Sequence, residues 1–194
     1  YSHEHQDKRE ENTKLFHQMA QKAVDLDPEN PDAMSSLSMS YSIKKDLNKR
    51  LETAEKALEL NPSHPRSNFS YGQALTNFGR NEEALSYVNK AIELDPQSKR
   101  NYEGFFPLLY IALKDWENAI TWLNTAHERS PHSRYFGWKA AVYGKMNDLD
   151  SAKENLNSFI KERPEIKTLE DYEKVAPTII KDTLLEGLKK AGLK

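Results

Sequence analysis

The chain has no cysteine, few glycines and no long apolar run, and each absence removes a class of function. Without cysteine there are no disulfides, no thiol nucleophile and no thiolate metal site. A reducing cytoplasm is compatible with that, and a cytoplasmic location is expected. The seven glycines are scattered through 194 residues. They form no phosphate-cradling loop, and no GxSxG motif is present. No segment approaches the roughly 18–20 apolar residues of a membrane-crossing helix, so membrane insertion is not expected. An excess of charge is also missing: 28 Lys and Arg face 30 Asp and Glu, for a net charge of −2. That balance gives no argument for nucleic acid or for a membrane surface. The densest cationic stretch, Lys44 to Arg50, is diluted by Asp46 and reads as a solvated loop. Nucleic-acid binding wants a broad basic face with interleaved aromatics.

What is present is a repeated pattern. "LETAEKALELNP" (51–62), "NEEALSYVNKAIELDP" (81–96), "WENAITWLNTAHERSP" (116–131) and "LDSAKENLNSFIKERP" (149–164) are amphipathic helices, each ending at a proline. The terminating prolines Pro28, Pro62, Pro96, Pro131 and Pro164 lie 34, 34, 35 and 33 residues apart. Proline ends a helix because it disfavours helical geometry in the preceding residue and cannot donate the next backbone bond. Between each proline and the next such helix B lies a second amphipathic stretch, helix A, at 31–44, 65–78, about 99–113 and 133–146. Asp46, Gly79-Arg80-Asn81, Asp115 and Asn147-Asp148 supply the turns from A to B. A period of about 34 residues with two helices per period indicates a helical solenoid.

Small residues recur in phase: Ala84, Ala119 and Ala152 early in helix B, and Ala23, Ala57, Ala91 and Ala126 late in it. Tyr41, Tyr71, Leu75, Tyr110 and Tyr143 fill the complementary positions. This pattern resembles the tetratricopeptide repeat (TPR) family over about residues 12–164, most closely in repeat two through Gly72, Ala84, Ala91 and Pro96. The resemblance implies an all-α, right-handed superhelix (an α-solenoid) of antiparallel helix pairs. Its expected parts are a B-type helix at 12–28 and repeats at 31–62, 65–96, 99–131 and 133–164, together a solenoid over 1–164. Capping helices follow at 165–194. Three positions depart from the family: Arg50 and Phe159 replace small residues, and Pro107 falls inside helix A of repeat three. An interior proline costs on the order of 3 kcal/mol unless the helix bends or starts late there. In the C-terminal stretch, Thr168 and Asp171 form a capping-box pattern, and Ile180, Leu184 and Leu188 share one helix face, as a terminal cap requires.

No catalytic or metal-binding pattern emerges, and no cofactor is implied. Among the six histidines, His3 and His5 are i,i+2 and would point to different helix faces, unlike the i,i+4 pair of a helical zinc site. His64 and His132 lie in turns after the terminating prolines. This stretch of chain is not expected to be an enzyme on its own.

The candidate site is the concave groove, which in TPR proteins helix A lines. Counted from each repeat's start, the inward positions are Ser35 and Met39, then Phe69, Gln73 and Asn77, then Phe105 and Leu108, then Trp138 and Ala141. Met39, Phe69, Gln73, Asn77, Phe105, Leu108 and Trp138 are the residues expected to bind. Apolar anchors with a few orienting amides suit a peptide or helical segment of a partner protein. The Lys and Asn set with which some TPR domains grip acidic chaperone tails is absent from the matching places. Ten of the nineteen aromatics lie between Tyr102 and Tyr143. They form either a stable core or a sticky surface for a homodimer.

The closing "EGLKKAGL", Glu186 to Leu193, is similar to the end of TPR arrays attached to bacterial class III adenylate/guanylate cyclases. With a start at Tyr1 and no signal-peptide pattern, this implies the C-terminal regulatory part of a larger bacterial signalling protein. The alternative is a homo-oligomerisation module that assembles an upstream enzyme such as a nucleotide cyclase.

Overall fold

The computed structural model describes residues 2–194, with the side chains of residue 8 and of 10–194. Every regular element among them is helical. The chain divides into two compact units, residues 1–102 and 103–194.

The first unit opens with α1, Ser2–Leu26, which begins well before the helix expected at 12–28. Nothing interrupts it, since neither Gly nor Pro occurs between Ser2 and Pro28. Two hairpins follow: α2 (Pro31–Ile43) with α3 (Leu47–Leu60), and α4 (Pro65–Leu75, extended by a 3₁₀ turn at Thr76–Phe78) with α5 (Asn81–Leu94). Helix α1 packs on α2, α3 packs on α4, and α2 also touches α4. The in-phase alanines are the contact points, with Ala57, Ala84 and Ala91 fully buried. Gly72 belongs to the same contact. A Cβ there would stand 3.0 Å from both the Ala84 carbonyl oxygen and a Val88 methyl. Arg50 is the exception in this series, a long cation 8% exposed where its counterparts are alanines.

Every turn from helix A to helix B is built alike. Lys45, Gly79, Lys114 and Asn147 adopt left-handed geometry, with φ of 61°, 71°, 61° and 65°. The next residue's N–H then bonds back to a carbonyl of the last helical turn, at 3.0–3.2 Å: Asp46 to Tyr41, Arg80 to Leu75, Asp115 to Tyr110, Asp148 to Tyr143. The three aspartates go on to cap helix B, accepting from the N–H groups of Lys49, Asn118 and Ser151. Turns between repeats are capped by Asn30, His64 and His132, whose side chains accept backbone N–H bonds of the helix that follows. His64 and His132 thus have a structural use that their sequence context does not announce.

At the start of the third repeat, α6 (Lys99–Glu103) stops and α7 (Phe106–Leu113) begins anew with Pro107 in its first turn. This is the late start that the proline demands, because a first-turn residue has no intrahelical acceptor for an N–H. The second unit continues with α8 (Trp116–Arg129), α9 (Ser133–Met146) and α10 (Leu149–Glu162), each packed on the next. Its core takes up the local concentration of aromatics. Phe106 and Tyr135 are buried, the Phe106 and Trp122 rings lie 4.5 Å apart, and none of the aromatics from 103 to 143 is exposed. Buried Glu103 is paired to Arg129 at 2.5 Å.

The C-terminal segment comprises α11 (Leu169–Glu173), a 3₁₀ turn at Thr178–Ile180 and α12 (Lys181–Ala191). Thr168 and Asp171 form the expected capping box. Ile180, Leu184 and Leu188 are at most 1% exposed. Helix α12 lies along α9, and the 3₁₀ turn reaches α7.

Candidate peptide-binding face

Helices α2, α4 and α9 each start directly after a capping residue, Asn30, His64 and His132. Counted from those starts, Met39, Gln73 and Ala141 are equivalent, as are Ile43, Asn77 and Lys145. Ser36, Ser70 and Trp138 form a third set. The equivalent positions have different fates in the two units.

In the first unit the face is open. Met39 is 43% and Ile43 49% exposed, one helical step apart on α2. On α4 and its 3₁₀ extension, Phe69, Gln73 and Asn77 are half-buried at four-residue steps, so they share one side of the helix. The Phe69 ring is held against Tyr102, with centroids 4.8 Å apart. Asn77 donates its amide to the Gln73 and Ala74 carbonyls at 3.3 and 3.1 Å, closing the end of α4. A polar edge lies at the other end of the helix. Arg66 is 3.6 Å from the Asp32 carboxylate and donates to the Ser36 hydroxyl at 3.1 Å, and His64 lies 3.5 Å from the same carboxylate. Ser35, one of the inward positions expected from the count, is instead buried between helices at 2% exposure.

In the second unit the equivalent positions are covered. Trp138 is 8% exposed and lies in the same buried core as Tyr172, whose pKa burial raises. Ala141 is 1% exposed beneath Gly187. A Cβ on Gly187 would stand 2.1 Å from the Ala141 carbonyl oxygen, and one on Gly144 would stand 2.2 Å from the Gly187 carbonyl. The two helices therefore touch through their backbones. Lys145 pairs with Glu186 at 2.5 Å, and Lys145 with Lys114 and Lys190 holds the Glu186 carboxyl below its ordinary range. Phe105 and Leu108 are half-buried, Leu108 against the unit's core.

Of the seven residues expected to bind, four thus lie in the first unit and three in the second. Trp138 is a core residue under the C-terminal segment. The signal for that cover was the pair Gly144 and Gly187, small residues on otherwise apolar helix faces. Among the described residues no group of three or more His, Asp or Glu is placed to hold a metal, and His3 and His5 lie outside the described side chains. No described helix is long and apolar enough to cross a membrane.

Two family models of the tetratricopeptide repeat match the chain, one over residues 31–64 and the other over 51–99. No curated protein matches it. Among solved structures, it is similar to PilW, a type IV pilus biogenesis factor, at 19% identity and TM-score 0.68, over 94% of this chain and 83% of that one. A thermophilic TPR protein of Thermus thermophilus is similar at 19% identity and TM-score 0.61, over 93% and 94%. YrrB, a TPR protein with an unusual peptide-binding site, is similar at 18% identity and TM-score 0.59, over 89% and 90%. Residues 31–99 therefore match the tetratricopeptide repeat, and the chain has the all-α solenoid fold of those solved structures.

Proposed function

We propose that the chain is a protein-interaction scaffold that binds a peptide or helical segment of a partner on the open face of α2 and α4. The observation that carries this is the stripe of exposed Met39 and Ile43 beside half-buried Phe69 and Gln73. Apolar side chains supply binding energy there, and Gln73 supplies an amide that can orient a backbone. Trp138 is a buried core residue of the second unit and offers no such contact. The peptide-binding site that gives YrrB its description supports the same class of ligand. A photo-crosslinking amino acid at Gln73, used in the source cells, tests the proposal. It should capture a partner, and Met39→Ala with Phe69→Ala should abolish the capture. Equal capture from exposed Glu93 on α5, or capture indifferent to the double substitution, refutes it.

A second reading is assembly of a larger bacterial signalling protein, such as a nucleotide cyclase, with this chain as its C-terminal part. It is supported by the resemblance of Glu186 to Leu193 alone, and packing already accounts for part of that stretch through Gly187 and Leu188. The mass of the native polypeptide decides it: peptides upstream of Tyr1 belonging to a cyclase sustain the reading, and their absence ends it.

A further inference from the structure

The second unit contains a helix-binding face with its occupant in place. Helix α12 meets α9 through Gly187 on Ala141 and Gly144, buries Leu184 and Leu188 completely, and sets Glu186 against Lys145. These are requirements a ligand must meet: leucines at i and i+4, a glycine at the backbone contact, and a carboxylate beside it. Where the first unit presents Met39 and Gln73, the second presents Ala141, so α12 sits where a bound helix would sit on the open face.

The C-terminal segment leaves α10 through an exposed link, Pro164, Glu165, Lys167 and Thr168, and its buried residues beyond that link would move with α12. Between α10 and α12, only Ile166, Tyr172 and Ile180 are buried. The stretch holds a five-residue helix, two prolines, Pro164 and Pro177, and Val175 at 52% exposure. A segment on such a link can leave its site and be replaced by an identical one. Reciprocal exchange recreates every contact of the closed chain, so little beyond the link's conformation and the loss of translational freedom opposes it.

We infer that the α9 face takes α12 from a second copy of this chain, giving a dimer by exchange of the C-terminal segment. The second copy is the occupant because it carries the one helix already shown to meet all three requirements. The exchange concerns the second unit and stands or falls independently of the open face of α2 and α4.

The absence of cysteine makes the test clean. Full chains carrying Lys145→Cys alone and Glu186→Cys alone are concentrated together, diluted, and treated with a short bismaleimide. The double variant, bridged within one chain, shows that the fold is kept and that the reagent spans the pair. Exchange predicts a covalent heterodimer on a denaturing gel, formed only from the mixture and increasing with protein concentration. It also predicts a dimer mass by light scattering of the unmodified chain at high concentration. Internal bridging of the double variant without any heterodimer from the mixture overturns the proposal, as does a monomer mass at all concentrations.

Discussion

Arg50 sits in the series Arg50, Ala84, Ala119 and Ala152, and only it brings a charge into the contact between helices. Its Nε is buried without a hydrogen-bond partner among the described residues, and desolvation pulls its pKa down to about 10. At neutral pH it is still charged, so the cost of burying the cation is carried by the fold. Arg50→Met keeps the length of the side chain and removes the charge. It should stabilise the protein by about 1–2 kcal/mol, read as a higher urea midpoint at unchanged slope. His17 is a second residue whose charge the fold resists. It bonds to the Ser40 hydroxyl at 2.8 Å, and desolvation, then Lys44 and Lys49, lowers its pKa from 6.5. A depressed folded-state pKa means that the unfolded chain takes up the proton first. Stability should therefore fall as pH drops below 6.5 toward the lowered value. His17→Gln should flatten the decline in urea midpoint between about pH 7.5 and pH 5.5 by removing that proton uptake.

Among elements, the A-to-B turn shows how local chemistry repeats the unit. Four left-handed residues at one phase of the period let the chain reverse and bring the next aspartate or arginine onto the helix end. Glycine takes this geometry freely, and asparagine takes it at small cost. Lysine does so at Lys45 and Lys114 against the clash of its Cβ with the following carbonyl. Lys114→Gly should gain about 0.5–1 kcal/mol, the relief of strain outweighing the greater freedom of glycine in the unfolded chain. Asn147→Gly should gain less, and thermal melts of the two variants give the comparison. This is also where the sequence was most legible. Asp46, Asp115 and Asp148 cap, Pro107 delays its helix, and Thr168 with Asp171 closes a capping box, each as near-neighbour chemistry requires. Whether α1 reaches back to Ser2 was left open by the sequence, because the proline period marks where helices end and carries no comparable mark for where this one starts.

At the scale of the molecule, periodicity reveals the solenoid, but it cannot distinguish repeats whose A faces stay open from those the chain itself covers. Met39 and Trp138 read alike in sequence, as apolar residues at inward positions of helix A. What separates them is contact with residues more than thirty positions away, where Tyr172 and Gly187 fold back onto α9. No local period encodes that return. The aromatic-rich half likewise left open a choice between core and sticky surface, and burial of Phe106, Tyr135 and Trp138 decides for the core. The distinction has a thermodynamic consequence that does not depend on knowing any ligand. Trp138→Ala removes a buried indole and part of the seat of the C-terminal segment, and should cost about 3–5 kcal/mol. Met39→Ala removes a side chain 43% exposed and should cost less than about 1 kcal/mol. Urea unfolding of the two variants beside the parent chain measures both. Equal losses would mean that the two faces are equally covered in solution. A large loss confined to Trp138→Ala would leave the α2 and α4 face as apolar surface that the fold does not need, and that is therefore free to serve a partner.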